Sequence, residues 1–141
     1  MIKNMKELAA SCIRKFGTND PFEIAKGLNI KVQIGKLGFE GCYMFLKNHR
    51  CIFLNEDLSE QEQKLVMAHE LGHAIMHRRQ NCYFIRSQTY LLNSKTEQEA
   101  NRFAIELLVS DKDILEYQQY SLEQLSKIFG YAENLIELKF K

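Results

Sequence analysis

Apolar side chains recur at Met5, Leu8, Ala9, Cys12, Ile13 and Phe16, the spacing of one helix face, and Gly17 stands where such a helix would end. Asp20 followed by Pro21 has the form of an N-cap with proline at the first helical position. A short second helix is therefore predicted, closed by Gly27. The period then shortens to two at Ile30, Val32 and Ile34, as in a half-buried strand. CYMFLK and CIFLN flank the polar pair Asn48-His49 and predict a hairpin, giving a small antiparallel sheet of about three strands. Ser59 and Glu62 have capping-box spacing, and the acidic run Glu56, Asp57, Glu60, Glu62 suits the positive end of a helix dipole, so a long helix is predicted from near Glu60. Leu65, Ala68, Gly72, Ile75 and Met76 can face a core there, leaving the opposite side for a cleft. Gly72 costs that helix roughly 1 kcal/mol against alanine; close approach of a neighbouring backbone would account for it, and a merely tolerated glycine would do so equally. SKTEQEANRFAIELLVS supplies a further helix with Ala100, Phe103, Ala104, Leu107 and Leu108 as its apolar stripe. In the C-terminal SLEQLSKIFGYAENLIELKF, a Ser121 cap and Gly130 separate two short helical patterns.

Length and composition narrow these elements to one arrangement. With 141 residues, 45% of them hydrophobic, the chain suits a single α+β domain over residues 1–141. Nineteen Lys and Arg against eighteen Asp and Glu give no broad attraction toward nucleic acid or an anionic membrane. The C-terminal pair resembles half of a helix-turn-helix, but Lys127, Lys139 and Lys141 form no phosphate-binding stripe, so packing onto the core is expected and direct nucleic-acid binding is not. No apolar run approaches membrane-spanning length, and a soluble cytoplasmic protein is expected. Cys12, Cys42, Cys51 and Cys82 form no CxxC pair and read as reduced, mostly buried thiols. With the hairpin centred near Asn48, Cys51 would face Phe45 rather than Cys42, so no bridge is expected.

The chemistry is concentrated in LVMAHELGHAIMH. His69 and His73 lie four residues apart, on one helix face, with Glu70 beside them. Two imidazoles so placed can grip one metal ion, and the intervening glutamate is the general base of a zinc peptidase. A catalytic zinc needs three protein ligands and an open position, so a third residue must come from elsewhere. Glu97 and Glu99 are the candidates, and Glu99 is the one expected. If Thr96 caps the helix, Glu99 occupies the capping-box position; if Ser94 caps it, Glu97 does and Glu99 is free, and the local sequence leaves the two nearly even. His77 continues the histidine spacing but sits about 12 Å along the axis from His69, and reads as an ordinary histidine near a helix C-terminus, stabilised there when charged.

DPFEIAKGLNIKV, HELGHAIMH and EQEANRFAIELL together resemble the ImmA/IrrE family of zinc metallopeptidases, which are thermolysin-like zincins; the resemblance runs from Asn19 to Phe140. It implies a zincin fold in which the HExxH helix packs beside a small antiparallel sheet. It also implies one zinc per chain, held by His69, His73 and the glutamate before the Ala-Asn pair, Glu99, with Glu70 as the base that activates water. Manganese is the alternative ion, since ligand type does not fix metal identity. The implied substrate is a protein, a helix-turn-helix repressor of a prophage or mobile element, cut at a peptide bond; the alternative is a zinc-containing module that holds the repressor without cutting it. An extended substrate could add to a sheet edge. The oxyanion donor is sought among Tyr83, Tyr90 and His77. Two departures stand out. The family's closing LLMP is LLVS, ending at Ser110, and the aspartate that thermolysin-type enzymes carry four residues after the ligand glutamate is Phe103 when counted from Glu99, so no outer partner of the histidines is identified.

Overall fold

The structure is a computed structural model describing residues 4–84 and 94–141. Asn4 accepts from the backbone N–H groups of Lys6 and Glu7 to open α1 (Met5–Phe16), which ends on Gly17 at φ 70°. Asp20 caps α2 (Pro21–Gly27) through Phe22 N–H. The left-handed residue beyond α2 is Asn29 at φ 61°, not Gly27. Gly27 serves another purpose, because a Cβ there would lie 2.4 Å from the Phe16 ring.

The strands β1 (Lys31–Gly35), β2 (Gly41–Leu46), β3 (His49–Asn55) and β4 (Cys82–Phe84) form one sheet in the order β1-β3-β2-β4. The expected hairpin is β2–β3, but its register differs by one. Lys47 and Asn48, both at positive φ, make a two-residue turn of the kind that matches strand twist, so Leu46 pairs with His49 and Cys51 with Met44. Cys42 faces Phe53, and all four cysteines are free thiols. The sheet is mixed rather than wholly antiparallel, because β1 runs parallel to β3, with Val32 opposite Ile52. It also gains a fourth strand, β4, antiparallel to β2. Alternation identifies a strand but not its neighbour or direction, and three residues are too few to alternate legibly.

Ser59 caps α3 (Glu60–Met76) with the full reciprocal capping box to Glu62. Helix α3 packs between the sheet and α4 (Lys95–Leu108). Tyr43, Ile52 and Leu54 meet it from the sheet side, and Phe103, Ala104 and Leu107 belong to the same core. Each residue from Leu65 to Ala74 is buried, so α3 has no open face of the kind its apolar stripe suggests. At Gly72 a Cβ would stand 3.1 Å from the Phe103 ring and 3.5 Å from Ala100 Cα, the close helix approach that accounts for glycine here. Arg50 on β3 donates to Leu28 O at 2.8 Å and to Ala74 O at 3.4 Å, joining the ends of α2 and α3. The chain closes with α5 (Asp111–Glu116), α6 (Leu122–Phe129), α7 (Glu133–Ile136) and a 3₁₀ turn over Glu137–Phe140. Leu125, Tyr131, Leu135 and Ile136 are buried, which packs this C-terminal segment onto the core. Among the described residues no helix is long and apolar enough to cross a membrane.

Candidate metal centre

Helix α3 carries His69 and His73 one turn apart, 1% exposed each, with Glu70 fully buried beside them. Their Nε2 atoms point at a common centre, 3.2 Å from one another. Glu97, from the first turn of α4, completes this centre. Its Oε1 lies 3.2 Å from His69 Nε2 and its Oε2 2.6 Å from His73 Nε2. Bonds of 2.0–2.1 Å to a tetrahedral zinc would place ligand atoms about 3.3–3.4 Å apart, close to two of these three separations.

Glu99 is not at this centre. Its Oε1 lies 2.9 Å from Nε2 of His77, the C-cap of α3. Glu99, the residue expected as third ligand, stands apart from the two imidazole Nε2 atoms, and Glu97, two residues before it, faces them instead; the capping of α4 explains how. Ser94 is the N-cap and accepts from Glu97 N–H, as one of the alternatives had it, yet the Glu97 carboxylate turns to the histidines. A carboxylate in the first helical turn thus serves the site rather than the cap.

Each histidine has an outer partner on its Nδ1. Asn101 Oδ1 stands 2.8 Å from Nδ1 of His69, and Nδ1 of His77 stands 2.9 Å from Nδ1 of His73. An amide oxygen only accepts, so a neutral His69 carries its proton on Nδ1 and keeps a lone pair on Nε2. That lone pair faces Glu97 Oε1, acceptor against acceptor, an arrangement that a cation between them resolves. Phe84 closes one side, its ring edge-on to His69 at 4.8 Å between centroids.

Glu70 is the buried carboxylate beside the two histidines, and its two oxygens differ in environment. Its Oε1 accepts from Cys82 Sγ–H at 3.3 Å, while its Oε2 is buried without a partner among the described residues. Burial pushes the Glu70 carboxyl well above the usual carboxylate range and the charge of Glu97 adds to this, against the Cys82 hydrogen bond. Burial also pushes the Cys82 thiol far up, with the Glu70 charge and hydrogen bond next, so it stands as an S–H donor. Burial alone would raise Glu97, but when no cation is bound and the imidazole Nε2 atoms carry protons, hydrogen bonds from His69 and His73 outweigh it and hold this carboxyl far below its ordinary value. For His73 burial dominates and lowers the imidazole, although its bond to Glu97 pulls the other way. The donor set of two imidazoles and one carboxylate, with an orphaned carboxylate oxygen beside it, fits a catalytic zinc.

Of the three expected oxyanion donors, Tyr90 and the side chain of Tyr83 lie outside what the structure describes. His77 has both ring nitrogens engaged, by His73 and Glu99. Glu97 and Asn101, which the sequence reading did not select, were marked by their spacing: a carboxylate and a polar side chain four residues apart share a helix face.

Comparison with known proteins agrees with this geometry. Residues 25–141 match the peptidase family described as the IrrE N-terminal-like domain. The chain is 34% identical over 139 residues to uncharacterized immunity region protein 2 of Bacillus phage phi105, covering 96% of this chain and 88% of the relative. It is 33% identical over 144 residues to metallopeptidase ImmA of Bacillus subtilis (strain 168), covering 97% of this chain and 84% of the relative. A match of this length, carried by a buried HExxH helix whose two histidines share a focus, places the chain in the ImmA/IrrE family of metallopeptidases.

Proposed function

We propose that residues 1–141 act as one domain, a zinc-dependent metallo-endopeptidase that cuts a helix-turn-helix repressor of a prophage or mobile element in the cytoplasm. The observation that carries the chemistry is the convergence of His69 Nε2, His73 Nε2 and the Glu97 carboxylate beside the partnerless Oε2 of Glu70. In this reading the metal ligands are His69, His73 and Glu97, with Glu97 taking the part first expected of Glu99. His69, His73 and Glu97 would hold the zinc ion, which would supply Lewis acidity to a water and to the scissile carbonyl. Glu70 takes the proton of the attacking water on Oε2 and passes it to the leaving amine nitrogen. Cys82 steadies Oε1 of Glu70, so that the free oxygen faces the water. Among the described residues strand β4 is the sheet edge next to α3, the position at which an extended substrate segment can add its main-chain hydrogen bonds. The repressor substrate is supported by kinship with a phage immunity region protein and with ImmA.

Glu70→Gln tests the reading. The variant and the wild type should both hold about one zinc per chain, and the variant should lose cleavage of the repressor as followed by mass spectrometry of the products. A Glu70→Gln protein that still inactivates the repressor would identify a module that works by binding.

A further inference from the structure

His77 and Glu99 lie just outside the metal centre, and the chemistry above gives them no task. His77 caps α3 one turn beyond His73, and its two ring nitrogens serve different neighbours: Nδ1 is 2.9 Å from Nδ1 of His73, and Nε2 is 2.9 Å from Oε1 of Glu99. An ionised carboxylate can only accept, so a neutral His77 carries its proton on Nε2. Its Nδ1 then holds a lone pair and must itself accept. The bond between the two imidazoles therefore has one direction, from His73 Nδ1–H to His77 Nδ1. A His73 ring protonated on Nδ1 has its lone pair on Nε2, the nitrogen turned toward Glu97 and His69.

We propose, on the footing of the metal-centre reading, that Glu99 and His77 form a positioning relay that fixes the ring and tautomer of His73 as a metal ligand. His69 receives the same service directly from Asn101, 2.8 Å from its Nδ1. The His73 side uses a longer chain because the partner at hand is another imidazole, which can donate or accept at Nδ1 and so specifies nothing by itself. The Glu99 carboxylate removes that ambiguity. Both act through His73 rather than as ligands themselves. The ordinary alternative is an ion pair that only ties the end of α3 to α4, whose loss would lower stability and leave metal affinity alone.

Zinc affinity of the full chain, measured by competition with a chromophoric chelator, separates these roles when thermal unfolding of the metal-free proteins is followed alongside. His77→Phe keeps a ring but removes both nitrogens, and should weaken zinc binding by about 10- to 100-fold. Glu99→Gln keeps size and an acceptor oxygen while removing charge, and should weaken it by a smaller factor, with the metal-free unfolding midpoint close to wild type. In zinc-loaded wild type, nitrogen-15 spectra should show His77 protonated on Nε2 alone. Affinities within twofold of wild type in both variants, or a His77 protonated on Nδ1, would overturn the relay. If His77→Phe does not fold, Glu99→Gln and the spectra decide. A wild type that takes up no zinc overturns the metal-centre reading and the relay together, a result distinct from normal zinc uptake by all three proteins.

Discussion

Glu97 and Glu99 are two residues apart on α4, and at 3.6 residues per turn they leave the axis about 200° apart. Glu97 and Asn101 differ by only about 40°, which is why both reach His69. Substitution should separate the two glutamates. Glu97→Ala removes a donor atom and should cost more than 100-fold in zinc affinity, beyond the roughly 10- to 100-fold associated with outer partners. Glu99→Gln should cost less than the loss of His77, and chelator competition reads both. The HELGH chemistry was legible because one helical turn fixes the relation of its three residues. The third ligand was ambiguous because counting back from the Ala-Asn pair selects Glu99, whereas requiring a polar residue four positions on selects Glu97 with Asn101 and rejects Glu99 with Phe103. Cys82 was not legible as a partner of Glu70, since nothing local ties residue 82 to residue 70; β4 brings them together. Cys82→Val should leave zinc content unchanged and lower kcat about 5-fold, the worth of about 1 kcal/mol for one modest hydrogen bond. Cys82→Ser, which keeps a donor, should retain more of the rate; equal losses in Ser and Val would show that the S–H contact does not position Glu70.

At the level of elements, caps and periodicity foretold the helices, and pairing is where the sheet outran the pattern. The spacing of Ile30, Val32 and Ile34 announced β1, yet only Ile30 is buried and Ile34 is 52% exposed, as befits an edge strand. Its parallel partner β3 arrives later in the chain, after β2, so no local signal could specify that neighbour. The contact of α3 with α4 matters more to the proposed site, because α3 carries the histidines and α4 the glutamate that faces them. Gly72 sits at that contact. Gly72→Ala gains about 1 kcal/mol of helix propensity but must push Phe103 aside by a few tenths of an ångström, so a net change within about 1 kcal/mol is expected. Gly72→Leu adds three further carbons against the same ring and should cost about 1–3 kcal/mol net of propensity. It should also weaken zinc binding by moving Glu97 relative to His69 and His73. Denaturant midpoints and zinc titration would check the pair of effects; a Leu variant with lower stability and unchanged zinc affinity would show that the helices can shift without opening the site.

Across the whole molecule, the C-terminal turn returns to α4 and secures the helix that carries Glu97. Lys139 donates to Glu106 Oε1 at 2.6 Å and to Asp111 Oδ1 at 2.8 Å, while Arg102 donates to Glu106 Oε2 at 3.0 Å and to Lys141 O at 2.9 Å. The side chains of Lys139 and Glu106 are both 2% exposed, whereas that of Asp111 is 59% exposed. Burial therefore ranks the two bonds made by one ammonium. Breaking a buried pair costs about 3–5 kcal/mol because it strands a charge, but Arg102 stays on Glu106, so Lys139→Met should cost about 2–3 kcal/mol. Asp111→Asn removes an exposed partner and should cost less than about 1 kcal/mol. Hydrogen bonds from Lys139 and then Lys6 hold Asp111 below its ordinary value. Its small contribution is therefore present above about pH 4, the unfolded value, and is lost as pH falls through the lowered folded one. Urea unfolding of both variants at neutral pH tests the ranking. A large loss for Lys139→Met beside a small one for Asp111→Asn would show that the chain end is fastened from within the core, through Glu106; equal small losses would mean that Arg102 alone satisfies Glu106 and that the C-terminal turn is held by its apolar contacts.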